Sequence, residues 1–212
     1  MDLYIFGTQK NAEMASFYFL RDYPDLNFCG FIEDSPNEKT AFESPVISSD
    51  YFIENIGPQN VLLFAPLTKG SSRKEVFLRF KNLGYTFASY VSPKAEVWDL
   101  SVVGENCYIQ EFNNIQYGTY FGDNCLFWAG NHIGHHGVIG SHVTFTSHCV
   151  LSGGCTIGDL CYFGVNSTIG DGVNISANVF LGMGGVANKS IDEEGIYVGS
   201  PVRRIRSSSE II

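Results

Sequence analysis

The chain is short of positive charge and of long apolar runs. Its 212 residues include 13 Lys and Arg against 22 Asp and Glu, a formal net charge of −9. That balance argues against a nucleic-acid-binding or anionic-membrane surface. No apolar stretch approaches a membrane span. Met1-Asp2 leads straight into Leu3-Tyr4-Ile5-Phe6 without the basic region of a secretory signal, so the cytoplasm is the expected compartment. A Gly-x-Gly-x-x-Gly fingerprint is also missing. The first expected strand-to-helix turn, Gly7-Thr8-Gln9-Lys10-Asn11-Ala12, contains only Gly7, which gives no nicotinamide or flavin site. Histidine is absent before residue 132 and after residue 148.

What is present is a period of six. From Val91, every sixth residue is apolar: Val97, Val103, Ile109, Ile115, Phe121, Phe127, Ile133, Ile139, Phe145, Leu151, Ile157, Phe163, Ile169, Ile175, Leu181. Glycine often follows the ladder residue, as at Gly122, Gly134, Gly140, Gly158 and Gly164, and a small or β-branched residue usually stands four after it. Six fits neither a helix nor simple alternation. It is the hexapeptide signature of a parallel β-helix, in which three hexads make one 18-residue coil and coils stack by strand pairing at about 4.8 Å. Phe121, Ile139, Ile157 and Ile175 should then form one column. Five of the six cysteines (Cys107, Cys125, Cys149, Cys155, Cys161) take the small inward position and read as buried free thiols rather than disulfide partners or nucleophiles.

Ahead of the repeat, apolar runs alternate with helical segments. Strands are expected at 2–7, 28–34, 61–65 and 86–91, and helices at 12–22, 49–55 and from Ser71 to Gly84. This implies a small parallel sheet with covering helices. The boundary is expected near Val91-Ser92-Pro93, giving an α/β domain over 1–91 and a β-helix over 92–212.

The hexads, the run His132-Ile133-Gly134-His135-His136-Gly137-Val138-Ile139-Gly140, the segment Leu151-Ser152-Gly153-Gly154-Cys155 and the ending Gly199-Ser200-Pro201-Val202-Arg203 together resemble a known family. These are the hexapeptide-repeat acyltransferases, in the bacterial branch that acetylates nucleotide-linked amino sugars, grouped with sialic acid O-acetyltransferases. The resemblance covers nearly the whole chain. It implies a left-handed β-helix, a homotrimer, acetyl-CoA as cosubstrate, and a Rossmann-like front domain holding the nucleotide, uridine or thymidine, of a sugar destined for surface glycans. Ligands of such sheets lie at the carboxyl ends of strands beside helix N-termini, which nominates Gly7, Thr8, Lys10, Glu33 and Asp34 for the nucleotide.

All five histidines lie inside the solenoid. His135 falls at a corner two residues past Ile133, where side chains point outward. One coil further on is Gly153, so a thioester carbonyl between them would meet a general base and a backbone N–H together. The resemblance reaches the same pair, with His135 as base and Gly153 holding the acetyl group. It also implies a carboxylate directly after the base, where this chain has His136. Either the base is weaker, or another acid such as Glu111 orients it, or His135 and His136 share the role. His136, His142 and His148, six apart, occupy three corners separated by a strand length, on the order of 15 Å. They cannot converge within one subunit, which leaves only a site shared across a trimer interface, and no metal is expected.

For the cosubstrate, the last coil (Gly182 to Ala187) offers backbone, while Lys189, Arg203, Arg204 and Arg206 gather basic charge suited to CoA phosphates. Gly153, Gly182, Ala187, Lys189 and Arg203 are the cofactor candidates. The reading is an acetyl-CoA-dependent N-acetyltransferase of a nucleotide-linked amino sugar. Its rivals are a sugar O-acetyltransferase of the sialic acid type, a β-helix metalloenzyme and a non-catalytic nucleotide-sugar scaffold.

Overall fold

A computed structural model describes residues 1–208. The front domain runs β1 (Asp2–Phe6), α1 (Lys10–Asp22), β2 (Asn27–Glu33), β3 (Thr40–Ala41), β4 (Ser44–Ser48), α2 (Ser49–Asn55), β5 (Val61–Phe64), α3 (Gly70–Asn82) and β6 (Thr86–Phe87). Its sheet has the order β3-β4-β2-β1-β5-β6, parallel except for the β3–β4 hairpin. Central strands such as Leu-Tyr-Ile-Phe are apolar throughout because helices cover both faces.

The expected strand 86–91 is in fact two. Thr86–Phe87 closes the front sheet, whereas β7 (Tyr90–Val91) pairs with Tyr108–Ile109 in the solenoid. The β3–β4 hairpin was not expected. Its turn residues Phe42 and Glu43 take left-handed backbone angles, φ 50° and 60°, which apolar and charged side chains rarely adopt, so their types gave no turn signal.

The rest is a left-handed parallel β-helix with three sheets of six, four and eight strands; the hairpin strand Val202–Arg206 is the one antiparallel member among the described residues. Coils pair at a step of 18: Phe121 with Ile139, Ile139 with Ile157, and Ile157 with Ile175. The ladder residues from Ile109 onward are all buried. Val103 departs from the pattern. Asp99 accepts from the Ser101 N–H at 2.9 Å and starts a 3-10 turn over Leu100–Val102, so no strand forms there.

Each corner turns on a left-handed residue three past the ladder position. One corner uses Asn106, Asn124, His142, Leu160 and Asn178, with φ between 54° and 64°. This explains why His136, His142 and His148 fall six apart: each fills that turn position, where Asn, Asp and His are the tolerated non-glycine residues. All six cysteines are free, and the five in the solenoid are buried.

The two halves interlock. Arg73 of α3 is fully buried and donates to the carbonyls of Leu67, Thr68, Asn124 and His142 and to the Thr144 hydroxyl at 2.6–3.2 Å. Among the described residues it has no carboxylate partner. Burial pushes its pKa down to about 10, so it stays charged at neutral pH. Asn106 in turn bonds both backbone groups of Ala65.

Candidate active site

The solenoid brings His135 onto Gly153. The imidazole lies over the glycine, where an added Cβ would meet Cε1 at 2.6 Å and Nε2 at 2.8 Å, so a side chain there would expel the ring. The Gly154 N–H donates to the His135 carbonyl at 2.8 Å and locks the two coils in register.

His136 sits beside its neighbour with Nδ1 to Nδ1 at 3.1 Å. One of those nitrogens must carry the proton and the other accept it, which leaves Nε2 of His135 for a substrate. The ring of His136 packs above Gly118, and Tyr117 meets it edge-on at 5.6 Å. Glu111 is not available as an orienting acid: on a different corner, it meets Arg21 of α1 at 3.3 Å.

Below His135 lies a cavity of about 350 Å³ lined by Glu96, Trp98, Asn114, Gln116, Tyr117 and His135 itself. Trp98 stands edge-on to Tyr117 at 5.1 Å, and its indole N–H donates to the Thr119 carbonyl at 2.9 Å. Sequence reasoning missed Trp98, Asn114 and Tyr117. The available signal was Trp98, a large ring directly after ladder residue Val97, where later hexads often have glycine.

His142 takes no part in this corner. It is buried at the domain junction, bonded through Nδ1 to the Asn124 amide at 2.7 Å and edge-on to Phe77. Burial, then the charges of Lys74 and Arg73, push its pKa down to about 4. His148 packs above Gly130 on a third corner. Among the described residues no three or more His, Cys, Asp or Glu are gathered as a metal would require, and no helix is long and apolar enough to cross a membrane.

No protein-family model matches the chain. Solved structures do. Over 97% of both chains, at 19% identity, it matches a His-to-Asn mutant of perosamine N-acetyltransferase from Caulobacter crescentus, in complex with CoA and GDP-perosamine, with a TM-score of 0.87. The acetyltransferase domain of PglB from Neisseria gonorrhoeae FA1090 gives 0.85 at 16% identity, covering 96% of this chain and 99% of that one. WeeI from Acinetobacter baumannii AYE gives 0.81 at 21%, covering 97% and 100%. The chain shares the fold of these three structures.

In that fold the front-domain candidates do not all meet. Thr8 donates to Glu33 at 2.5 Å, and the two share a cavity of about 430 Å³ with Gln9, Glu38, Thr40 and Phe42. Gly7, at φ 100°, makes the tight turn that ends β1, and Lys10 opens α1, exposed. Asp34 is engaged elsewhere: Ser49 donates to it at 2.7 Å and Arg79 pairs with it at 2.8 Å. Burial raises its pKa, but Arg79 and Ser49 outweigh that and hold it below the usual value.

The cosubstrate candidates are also split. The Gly182 N–H donates to the Tyr197 carbonyl at 2.8 Å, so the backbone expected to lie open there is covered by the strand Gly195–Gly199. Ala187 is buried in the strand Val186–Ala187. Lys189 lines a cavity of about 510 Å³ beside Asp192, Glu193 and Tyr197. Arg203 is exposed, whereas Arg204 is committed to the Glu194 carbonyl and to Glu193 at 3.2 Å. The expected basic patch is therefore partly neutralised by its own acidic neighbours.

Proposed function

We propose that the chain transfers acetyl from acetyl-CoA to the amine of a nucleotide-linked amino sugar in glycan synthesis. The observation that carries this is the His135 ring lying on Gly153, with the aromatic-walled cavity directly below. The sugar nitrogen adds to the thioester carbonyl carbon, forming C–N, and the tetrahedral intermediate then collapses with cleavage of C–S. His135 Nε2 takes the amine proton and returns it to the departing CoA thiolate. The Gly153 N–H stabilises the oxyanion, and no acyl-enzyme is needed. Support comes from the similar Caulobacter protein, whose structures hold CoA and GDP-perosamine and include a mutant with one histidine replaced.

We assign the nucleotide to the 1–91 domain, at the cavity between Thr8, Glu33 and Phe42, and acetyl transfer to residues 92–212. Uridine and thymidine were the expected nucleotides; GDP-perosamine in the Caulobacter complex puts guanosine beside them. The reaction unit is a homotrimer in the cytoplasm, with CoA in grooves between β-helices, and the exposed Arg203 and Lys189 serve its phosphates.

The test is thiol release from acetyl-CoA with GDP-, UDP- and dTDP-linked amino sugars. His135→Ala should keep the assembly and CoA binding but lose about 10²–10⁴-fold in kcat. Retention of more than about a tenth of the rate would remove His135 as the base.

A further inference from the structure

The β3–β4 hairpin holds a backbone that its own residues resist. Its two-residue loop, Phe42-Glu43, is left-handed at both positions, φ 50° and 60°. Such loops favour Asn-Gly, and a bulky ring at positive φ is an outlier that points to a use outside the loop. That use is visible in what the hairpin presents. The Phe42 ring stands nearly perpendicular to the buried Phe31 at 5.7 Å and is still 40% exposed. It walls the cavity beyond the carboxyl end of β2, together with Thr8, Gln9, Glu33, Asn37 and Glu38. The Val46 N–H donates to the Lys39 carbonyl at 2.9 Å, so the same hairpin anchors the chain beside Glu38. Glu33 is occupied by the Thr8 hydroxyl at 2.5 Å. The Glu38 carboxylate and the Gln9 and Asn37 amides, by contrast, have no hydrogen-bond or ion-pair partner among the described residues. No residue lining the cavity is basic, so it suits an uncharged ring that carries donors rather than a phosphate.

We infer that this cavity selects guanine, with Phe42 as the stacking platform and the Glu38 carboxylate accepting N1–H and the N2 amine together. The inference rests on the assignment of the nucleotide to this cavity. Of the common bases, guanine alone sets two N–H donors side by side on one edge, the pair that the two oxygens of a carboxylate accept. Uracil and thymine offer a single N3–H between two carbonyl oxygens, which a carboxylate repels. Adenine and cytosine set one amine beside a bare ring nitrogen, which turns a lone pair toward one carboxylate oxygen. The unengaged Gln9 and Asn37 amides carry the N–H groups that guanine O6 requires. Stacking on Phe42 adds affinity whatever the base, so the polar edge decides which base is kept.

Calorimetry on the whole protein with GDP, IDP, UDP and dTDP tests this. IDP differs from GDP only in lacking the N2 amine. GDP should bind about tenfold to a hundredfold more tightly than UDP and dTDP, and about tenfold more tightly than IDP. Glu38→Gln should close the gap between GDP and IDP and leave UDP unchanged. Phe42→Asn suits the left-handed loop but offers no ring, and should weaken every nucleotide by about tenfold. Phe42→Tyr, which keeps a ring, should hold the wild-type affinities. UDP or dTDP binding as tightly as GDP, or a GDP-over-IDP ratio unmoved by Glu38→Gln, overturns the selection of guanine while leaving a nucleotide site in place. Wild-type affinities in Phe42→Asn overturn the stacking platform. A wild-type chain that binds none of the four overturns the assignment of the cavity to a nucleotide, and the inference with it.

Discussion

The front domain packs aromatic rings edge to face in several directions, whereas the β-helix stacks like on like along one axis. Phe19 of α1 meets Phe64 and Tyr90 at 5.0 and 5.5 Å, both nearly perpendicular, and Tyr90 carries the contact on to Tyr108 of the first coil. In the solenoid, Phe127, Phe145 and Phe163 lie almost parallel at 5.2 and 4.6 Å, one per coil. The environment of a solenoid residue is thus fixed by its position in the repeat and two neighbouring coils. In the front domain it depends on partners far away in sequence. Damage should stay local in the first case and spread in the second, and the junction carried by Arg73 belongs to both.

The sharpest way to break that contrast is at the junction. Arg73→Leu removes the donor from four carbonyls and a hydroxyl in a fully buried place, and should cost about 3–5 kcal/mol. Urea unfolding should then show two transitions, with the front domain separating first. A single transition shifted by less than about 1 kcal/mol would mean the halves are coupled mainly through their apolar contacts.

A weaker lever at the same seam is pH. His142 is held neutral with its pKa near 4, against an ordinary 6.5. Between those values the unfolded chain binds the proton and the native state does not, so stability falls as pH drops through that window, by about 3 kcal/mol at its lower end. His142→Asn, which keeps the left-handed turn, should flatten the slope between pH 6.5 and 4.5 in urea midpoints. An unchanged slope would assign the acid sensitivity to other groups.

The smallest effects compare one glycine from each half. A methyl on Gly158 would lie 2.8 Å from the Ser176 carbonyl carbon, backbone against backbone between coils, whereas at Gly57 it meets nothing within 4 Å. Gly158→Ala should cost about 2 kcal/mol in thermal unfolding and Gly57→Ala about nothing. Equal costs would show that the coil spacing yields more readily than its packing suggests.

The same contrast governs how much could be read beforehand. Hexad register placed Phe121 beside Ile139 and His135 beside Gly153 to the residue, because one number fixes every pairing in a solenoid. Where a local hydrogen bond overrides the period, as Asp99 does ahead of Val103, the ladder misleads. In the front domain the helices were legible, but the β3–β4 hairpin turns on Phe42 and Glu43, types that carry no turn signal, and the diversion of Asp34 to Arg79 comes from a helix that no short window around Asp34 contains. The wall of Trp98, Asn114 and Tyr117 escaped for a related reason. Outward positions carry no periodic constraint, so only the folded corner shows that they share a cavity with His135.

The hairpin over the last coil settles a matter the repeat itself leaves open, namely where the stack of coils stops. A solenoid ends in unpaired strands that could accept another solenoid and grow into a fibre. Here the largest sheet turns back on itself after Gly199, and its final strand runs antiparallel with Arg203, Arg204 and Arg206 along the edge. Ile191 bridges to Ile175 beside the last strand of the smallest sheet, and at the other end the front domain packs on Tyr90 and Tyr108. End-to-end growth would have to displace a covalently attached cap and bring rows of like charge together. The cap thus covers edges by which a bare stack of the same coils could pair with another.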